Sequence, residues 1–289
     1  MAFETVAVVG ATGNLGVSIA KAVIAKKLKV KIVTRQDTLA SKKELLDEFK
    51  SHGAEIVVAD FKSIDSLAAA LKGVQVVISA TGGAALGEQI QLIDAAKKAG
   101  VSRFYPSEYG IDDVEYPTKH PIIDAKVSIR KHAEAAGLQT VVAFTGFFAE
   151  WALSPFYAVD FATSTIEIVG DGNAKIGGWS IPQIGQVVAE SINHATTSKT
   201  DKIIYLRAQG LVFTYNELLA EHEKQTGTKW TKKYITIDEA KKRLDGADPY
   251  AEFGTYLRTW QAQGYGLSKE NHAKEFNITP TTFAQIFKK

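Results

Sequence analysis

The stretch Thr5-Val-Ala-Val-Val9, followed by Gly10, Gly13 and Gly16 and an apolar run of helical spacing to Ala20, constrains this chain more than any other. Five mostly β-branched residues without a charge read as a strand buried on both faces. The glycines then read as a tight turn and the run behind them as a helix. The first glycine permits the turn, the second lets backbone approach a pyrophosphate, and the third lets helix pack closely on strand. The helix start offers free N–H groups and its positive dipole end to that anion. In a strand–turn–helix context this spacing points to a dinucleotide.

The same alternation continues. Strands are expected at 29–34, 55–59, 74–79, 101–105 and 139–144, and helices at 41–51, 66–71, 89–99 and 122–136. Strands and helices in turn imply an α/β fold with a Rossmann doubly wound parallel sheet and right-handed crossovers. Ligands of such sheets lie outside the carboxyl ends of the strands. Arg35, Asp60, Phe61 and the loop Ala80-Thr81-Gly82 therefore share one rim. A basic residue at the tip of the second strand accommodates a 2′-phosphate, so Arg35, with Lys42 and Lys43 nearby, favours NADP(H) over NAD. Asp37, two residues on, keeps the opposite reading open. Phe61 could pack on an adenine face.

Beyond Thr145 the pattern becomes aromatic: Phe147, Phe148, Trp151, Phe156, Tyr157 and Phe161. Such a segment suggests a pocket wall or a small second core. Tyr109, Phe147, Phe148, Trp151 and Trp179 are expected to line an apolar substrate pocket, with Phe148 also bordering the cofactor. Gly170-Asp-Gly-Asn173 is expected to close a hairpin on Thr165–Val169. A helix over 184–194 and a strand over 202–206 follow, and Thr214 with Glu217 and Thr236 with Glu239 fit capping boxes. These readings divide the chain into an NADP-binding domain, residues 1–152 with 180–210 returning to it, and a smaller α+β substrate-binding domain, residues 153–179 and 211–289.

Composition excludes other classes. With 34 basic against 32 acidic residues the formal net charge is +2, which makes no case for nucleic acid or an anionic membrane surface. The absence of cysteine removes disulfides and thiolate metal sites and suits a reducing compartment. No apolar run approaches the ~20 residues of a membrane helix, and the first strand begins close to Met1, so a cytoplasmic location is expected. Histidines 52, 120, 132, 194, 222 and 272 show no ligand spacing, and no metal is expected. Neither a Gly-x-Ser-x-Gly elbow nor a P-loop is present, which leaves nucleotide-dependent redox chemistry.

Ordinary short-chain dehydrogenases carry a Tyr four residues before a Lys on the helix that follows the fifth strand. Here the lysine is Lys126 and the residue four earlier is Ile122. Lys126 falls just after a polar loop, at the rim end of its helix. Its ammonium could bond a nicotinamide ribose, or polarise or deprotonate a substrate carbonyl or phenol.

With these residues in view, the chain resembles the atypical short-chain dehydrogenases of the isoflavone reductase-like and NmrA-like family. The resemblance rests on Val8-Val-Gly-Ala-Thr-Gly-Asn-Leu-Gly16, Arg35, Arg103-Phe-Tyr-Pro-Ser-Glu-Tyr-Gly110, Lys126-Val-Ser-Ile-Arg-Lys131 with 134–137, and Gly170-Asp-Gly-Asn-Ala-Lys175. It implies an NADPH-dependent reductase of a small phenolic, benzylic ether or enone-type aromatic substrate, monomeric or weakly homodimeric. It implies that Lys126 is the active-site lysine, and that Gly10, Thr12, Gly13, Asn14, Leu15, Gly16 and Arg35 hold the pyrophosphate and 2′-phosphate. A second implication is a non-catalytic NADP(H)-sensing regulator that binds a protein partner. Retention of lysine at 126 favours the enzyme.

Overall fold

The computed structural model describes residues 2–197 and 200–288. In chain order its regular elements are β1 (Thr5–Val9), α1 (Asn14–Ala25), β2 (Lys29–Thr34), α2 (Gln36–Ser41), α3 (Lys43–Ser51), β3 (Glu55–Val58), α4 (Ile64–Ala70), β4 (Val76–Ser79), α5 (Gln89–Lys98), β5 (Arg103–Tyr105), α6 (Pro121–Ala136) and β6 (Gln139–Phe144). They continue with β7 (Phe147–Phe148), β8 (Val159–Asp160), β9 (Thr165–Val169), β10 (Ile176–Trp179), α7 (Ile181–Ser191), β11 (Ile203–Arg207), β12 (Leu211–Phe213), α8 (Tyr215–Thr226), β13 (Thr231–Ile235), α9 (Ile237–Lys241), α10 (Pro249–Trp260) and α11 (Phe283–Phe287). The chain forms two compact units. One comprises Met1–Tyr109, Ile123–Ala143 and Ile181–Leu206, the other Gly110–Ile122, Phe144–Ser180 and Arg207–Lys289.

The first unit is built on a sheet of order β11-β6-β5-β4-β1-β2-β3, seven strands among the described residues. Val6 is opposite Val30 of β2 on one side and Val76 of β4 on the other, both in parallel register. The winding reverses between β1 and β4, the switch point of a doubly wound sheet. Val6 to Val9 are wholly buried, as a strand covered by helices on both faces must be. Helix α7 lies on α1 through Gly185, where an added Cβ would stand 2.5 Å from the backbone of Ser18.

The expected helix over 41–51 is α3, begun at Lys43, and a short helix the sequence reading did not foresee, α2, precedes it, the two separated at Lys42 (φ −123°, ψ 30°). Asp37 accepts from the amide of Thr38, and the Ser41 hydroxyl donates to the Asp37 carbonyl. Such local side-chain bonds compete with helix continuation.

The second unit holds two three-stranded sheets among the described residues, β12-β10-β7 and β13-β9-β8. The hairpin expected across 170–173 does not form. β9 pairs instead with β8, antiparallel, and with β13, parallel, while β10 pairs with β12 and β7. The turn is held by the start of α8: the Asn216 amide donates to the Gly172 carbonyl and its side chain to the Asp171 carbonyl. That anchorage sends the flanking strands into different sheets. Both expected capping boxes are present, and a third joins Thr282 to Gln285.

Residues 110–122 and 144–152, read from the sequence as part of the nucleotide-binding domain, cluster with the second unit. Arg207 Nε donates to Asp112 at 2.5 Å, Tyr116 stacks on Tyr265 at 4.9 Å, His120 lies 4.5 Å from the Tyr256 ring, and the Gly146 amide donates to the Gly110 carbonyl. These partners are far away in sequence. No helix of the described residues is long and apolar enough to cross a membrane.

Gly185→Ala is expected to lower unfolding free energy by about 1–3 kcal/mol, because α7 must lift from α1. Gly87→Ala, where an added Cβ meets nothing within 4 Å, should stay within about 0.5 kcal/mol of the parent. Urea denaturation of the two variants checks the contrast.

Candidate active site

The glycine turn is shaped by contact. Gly10 has φ +81°, and a Cβ there would stand 2.8 Å from the carbonyl of Ala80, whose own amide donates to Val9. A Cβ on Gly16 would stand 1.9 Å from the Gly10 oxygen, so only glycine lets α1 start against the end of β1. Gly13 is the N-cap of α1, without a side-chain cap, and the first turn carries no acidic residue. The amides at Asn14, Leu15 and Gly16 are thus left for an outside acceptor, and an anionic ligand suits them. Thr12 and Leu15 are half-buried and Asn14 is exposed. Beside the turn, the hydroxyls of Thr81 and Ser79 are 2.9 Å apart, and Gly82 is exposed.

Arg35 follows β2 and caps α2. It lines a cleft of about 1020 Å³ at the carboxyl ends of β2 and β3, together with Asp37, Asp60, Phe61, Lys62 and Glu88. Its guanidinium lies 4.8 Å from the Phe61 ring centroid and pairs with Glu88. Phe61 is therefore committed to a cation–π contact as well as to the cleft. Glu88 was not foreseen, because it reaches Arg35 from the segment after β4, 53 residues on. Lys42 is exposed at the α2–α3 junction. Asp60 is exposed, and its side chain accepts the Lys62 amide.

The third part of the site follows β5. The Gln89 side chain accepts the Ser107 amide at 2.8 Å, and Tyr109 is left-handed, with φ +39°. Its hydroxyl donates to the Ser79 carbonyl at 2.9 Å. Burial, with Tyr105 and Glu108 nearby, pushes this phenol well above the usual tyrosine range. Between these anchors stands Glu108, its side chain only 3% exposed. Lys126 Nζ donates to the Glu108 carbonyl at 2.7 Å and lies 3.8 Å from its Oε2, while Arg130 Nη1 lies 3.3 Å from Oε1. Lys126 keeps 17% of its side chain accessible. The (i, i+4) spacing of Lys126 and Arg130, which puts both on one helix face, was the available signal for a buried anion between them.

In the second unit, Trp179 is fully buried, its indole N–H given to the Ala208 carbonyl, and Phe147 is packed between Tyr157 and Phe213. Both are buried in the packing of the second unit, as Tyr109 is buried in the first. Phe148, half-buried, meets Trp151 at 4.9 Å, and Trp151 is 40% exposed beside Phe156. An accessible aromatic wall therefore exists in this unit.

A doubly wound parallel sheet with a contact-shaped glycine turn, an uncapped helix start and an arginine at the second strand tip defines a Rossmann-type α/β protein. The NmrA-like family profile matches residues 3–284, and the chain belongs to that family. A phenylcoumaran benzylic ether reductase of Ginkgo biloba is 33% identical over 253 residues, 84% of this chain and 82% of the relative. Eugenol synthase 2 of Clarkia breweri is 32% identical over 252 residues, 83% and 80% of the two chains. Among solved structures, AtPrR2 with NADP+ and (+)-pinoresinol superposes with a TM-score of 0.85 at 25% identity, over 99% of each chain.

The segment Arg103–Gly110, on which the resemblance partly rested, divides into a structural half and a site half. Arg103, 3% exposed, donates to the carbonyls of Ile192 and Thr197 and to the Gln139 side chain. Arg103→Met leaves those acceptors without their donor and is expected to cost about 2–4 kcal/mol of stability in urea denaturation.

Proposed function

We propose that this chain is an NADPH-dependent oxidoreductase that reduces a small aromatic substrate, with Lys126 as the group that acts on a substrate oxygen. The observation that carries the reading is Lys126: a partly accessible ammonium, fixed by the Glu108 carbonyl, at the carboxyl-end rim that also holds the glycine turn. The names of relatives support it: a phenylcoumaran benzylic ether reductase, an isoflavone reductase homolog and a eugenol synthase.

NADPH, when bound, supplies a hydride. The amides at the start of α1 would hold its pyrophosphate, where Gly10 and Gly16 let the ends of β1, β4 and α1 come together as backbone. Arg35, paired with Glu88 and resting on the Phe61 ring, would hold the 2′-phosphate in place of that carboxylate. Lys126 then donates hydrogen bonds toward the reacting end of the site. Retention of Lys126 favours this reading over a redox sensor, which needs only the nucleotide half.

Arg35→Ala is expected to weaken NADPH binding about 10- to 100-fold, the loss of charge-assisted hydrogen bonds, and to leave NADH nearly unchanged. Equal losses for both would reject the 2′-phosphate assignment. Monitoring NADPH oxidation against phenolic ethers, quinones and enones should find turnover, reduced roughly 100-fold or more in Lys126→Ala. If no compound is reduced while NADP+ and NADPH bind with different affinities, the sensor reading replaces the enzyme.

A further inference from the structure

Three carboxylates, Asp37, Asp60 and Glu88, line the cleft of about 1020 Å³ that holds Arg35. Two of them are committed to their own turns. Asp37 accepts from the amide and the hydroxyl of Thr38, and Asp60 accepts the Lys62 amide. Glu88 is different. It is the N-cap residue of α5, where a side-chain oxygen can accept a first-turn amide, yet its carboxylate makes no such bond. Among the described residues its partner is the Arg35 guanidinium.

The segments that carry this pair are anchored separately. Gln89, 1% exposed, accepts the Ser107 amide at 2.8 Å and donates to the Leu86 carbonyl at 3.2 Å, which fixes the chain next to Glu88. Arg35 is the N-cap of α2, and its guanidinium rests 4.8 Å from the Phe61 ring centroid. Carboxylate and guanidinium therefore meet from segments 53 residues apart. A carboxylate presents to an arginine the negative charge and oxygen acceptors that a phosphate presents, so Glu88 takes donors that a phosphate ligand needs. Both side chains are well exposed, 43% and 38%, and the pair can open without leaving a buried charge.

We propose that Glu88 is a specificity-determining residue of the nucleotide site: its carboxylate competes with the 2′-phosphate for Arg35, and so limits the preference for NADPH over NADH. This role rests on the assignment of Arg35 to the 2′-phosphate. A nucleotide without that phosphate binds with the ion pair closed. One that carries it must first open the pair, so the cost falls on NADP(H) and spares NAD(H). The same competition acts on any adenosine ligand with a 2′-phosphate, whatever its nicotinamide end.

Isothermal titration calorimetry on the whole chain, with NADPH, NADH, adenosine 2′,5′-bisphosphate and adenosine 5′-monophosphate, reads the effect without turnover. Glu88→Gln should tighten the two 2′-phosphate ligands about three- to tenfold and change the other two by less than about twofold. Glu88→Ala should give the same gain; because a glutamine amide is itself able to donate to a phosphate, a gain in Glu88→Gln alone overturns the proposal. Added to Arg35→Ala, Glu88→Gln should change binding of the 2′-phosphate ligands by less than about twofold, since the contested donor is gone. A full gain in that background shows direct repulsion of the phosphate and overturns the competition, as does weaker or unchanged binding in the single Glu88 variants. Those variants alter a half-exposed side chain that caps no amide, and unchanged urea midpoints verify their fold. If Arg35→Ala binds NADPH as wild type does, the 2′-phosphate assignment itself falls; if it loses affinity while the Glu88 variants gain none, only the competition falls.

Discussion

The Gly10 carbonyl oxygen and the Cα of Gly16 occupy space that no side chain could share, since a Cβ on residue 16 would stand 1.9 Å from that oxygen. This contact fixes how α1 leaves β1, and much of the nucleotide-binding unit follows from it. With the helix start pressed on the strand end, the first-turn amides open at the carboxyl edge of the sheet. The Ala80 carbonyl, 2.8 Å from where a Gly10 side chain would begin, brings the end of β4 alongside. The switch point between β1 and β4 is thus a place of backbone contact, where a side chain on Gly10 or Gly16 would not fit.

The electrostatics of this unit use the same economy twice. Arg35 pairs with Glu88 and rests on Phe61; Lys126 and Arg130 share Glu108. In both, a cation is held by an anion from a different segment of the chain. The two differ in burial. Arg35 and Glu88 keep 43% and 38% of their side chains exposed, so a phosphate can replace the carboxylate at small cost. Glu108 is enclosed, and its charge is worth far more to its partners than a surface pair. The exposed pair suits exchange with a ligand, and the buried one suits a permanent setting of geometry and charge.

Aromatic residues illustrate how composition misleads about position. A run of large apolar groups after Thr145 reads as a pocket wall, yet Trp179 and Phe147 serve the core of the second unit, while Phe148 and Trp151 remain accessible. A core and a pocket need the same residue types, and only packing separates them. Likewise the turn Gly170–Asn173 has hairpin chemistry, but its backbone is held by Asn216, and the strands it joins enter different sheets.

The sequence by itself determined what local chemistry can specify. The strand, the glycine spacing, the alternation of elements and the capping boxes are properties of neighbouring residues, and β1, β2 and β6 have the bounds their patterns predict. It also pointed to Arg35 and Lys126, because strand ends and helix starts are placed by those same elements. What only the tertiary structure decided depends on residues distant in the chain. The loop 110–122 joins the second unit through Arg207, Tyr256 and Tyr265, Glu88 reaches Arg35 across the rim, and Glu108 comes to lie against Lys126 and Arg130. Periodicity records which face of an element is buried, but carries no information on which distant side chain will meet it there.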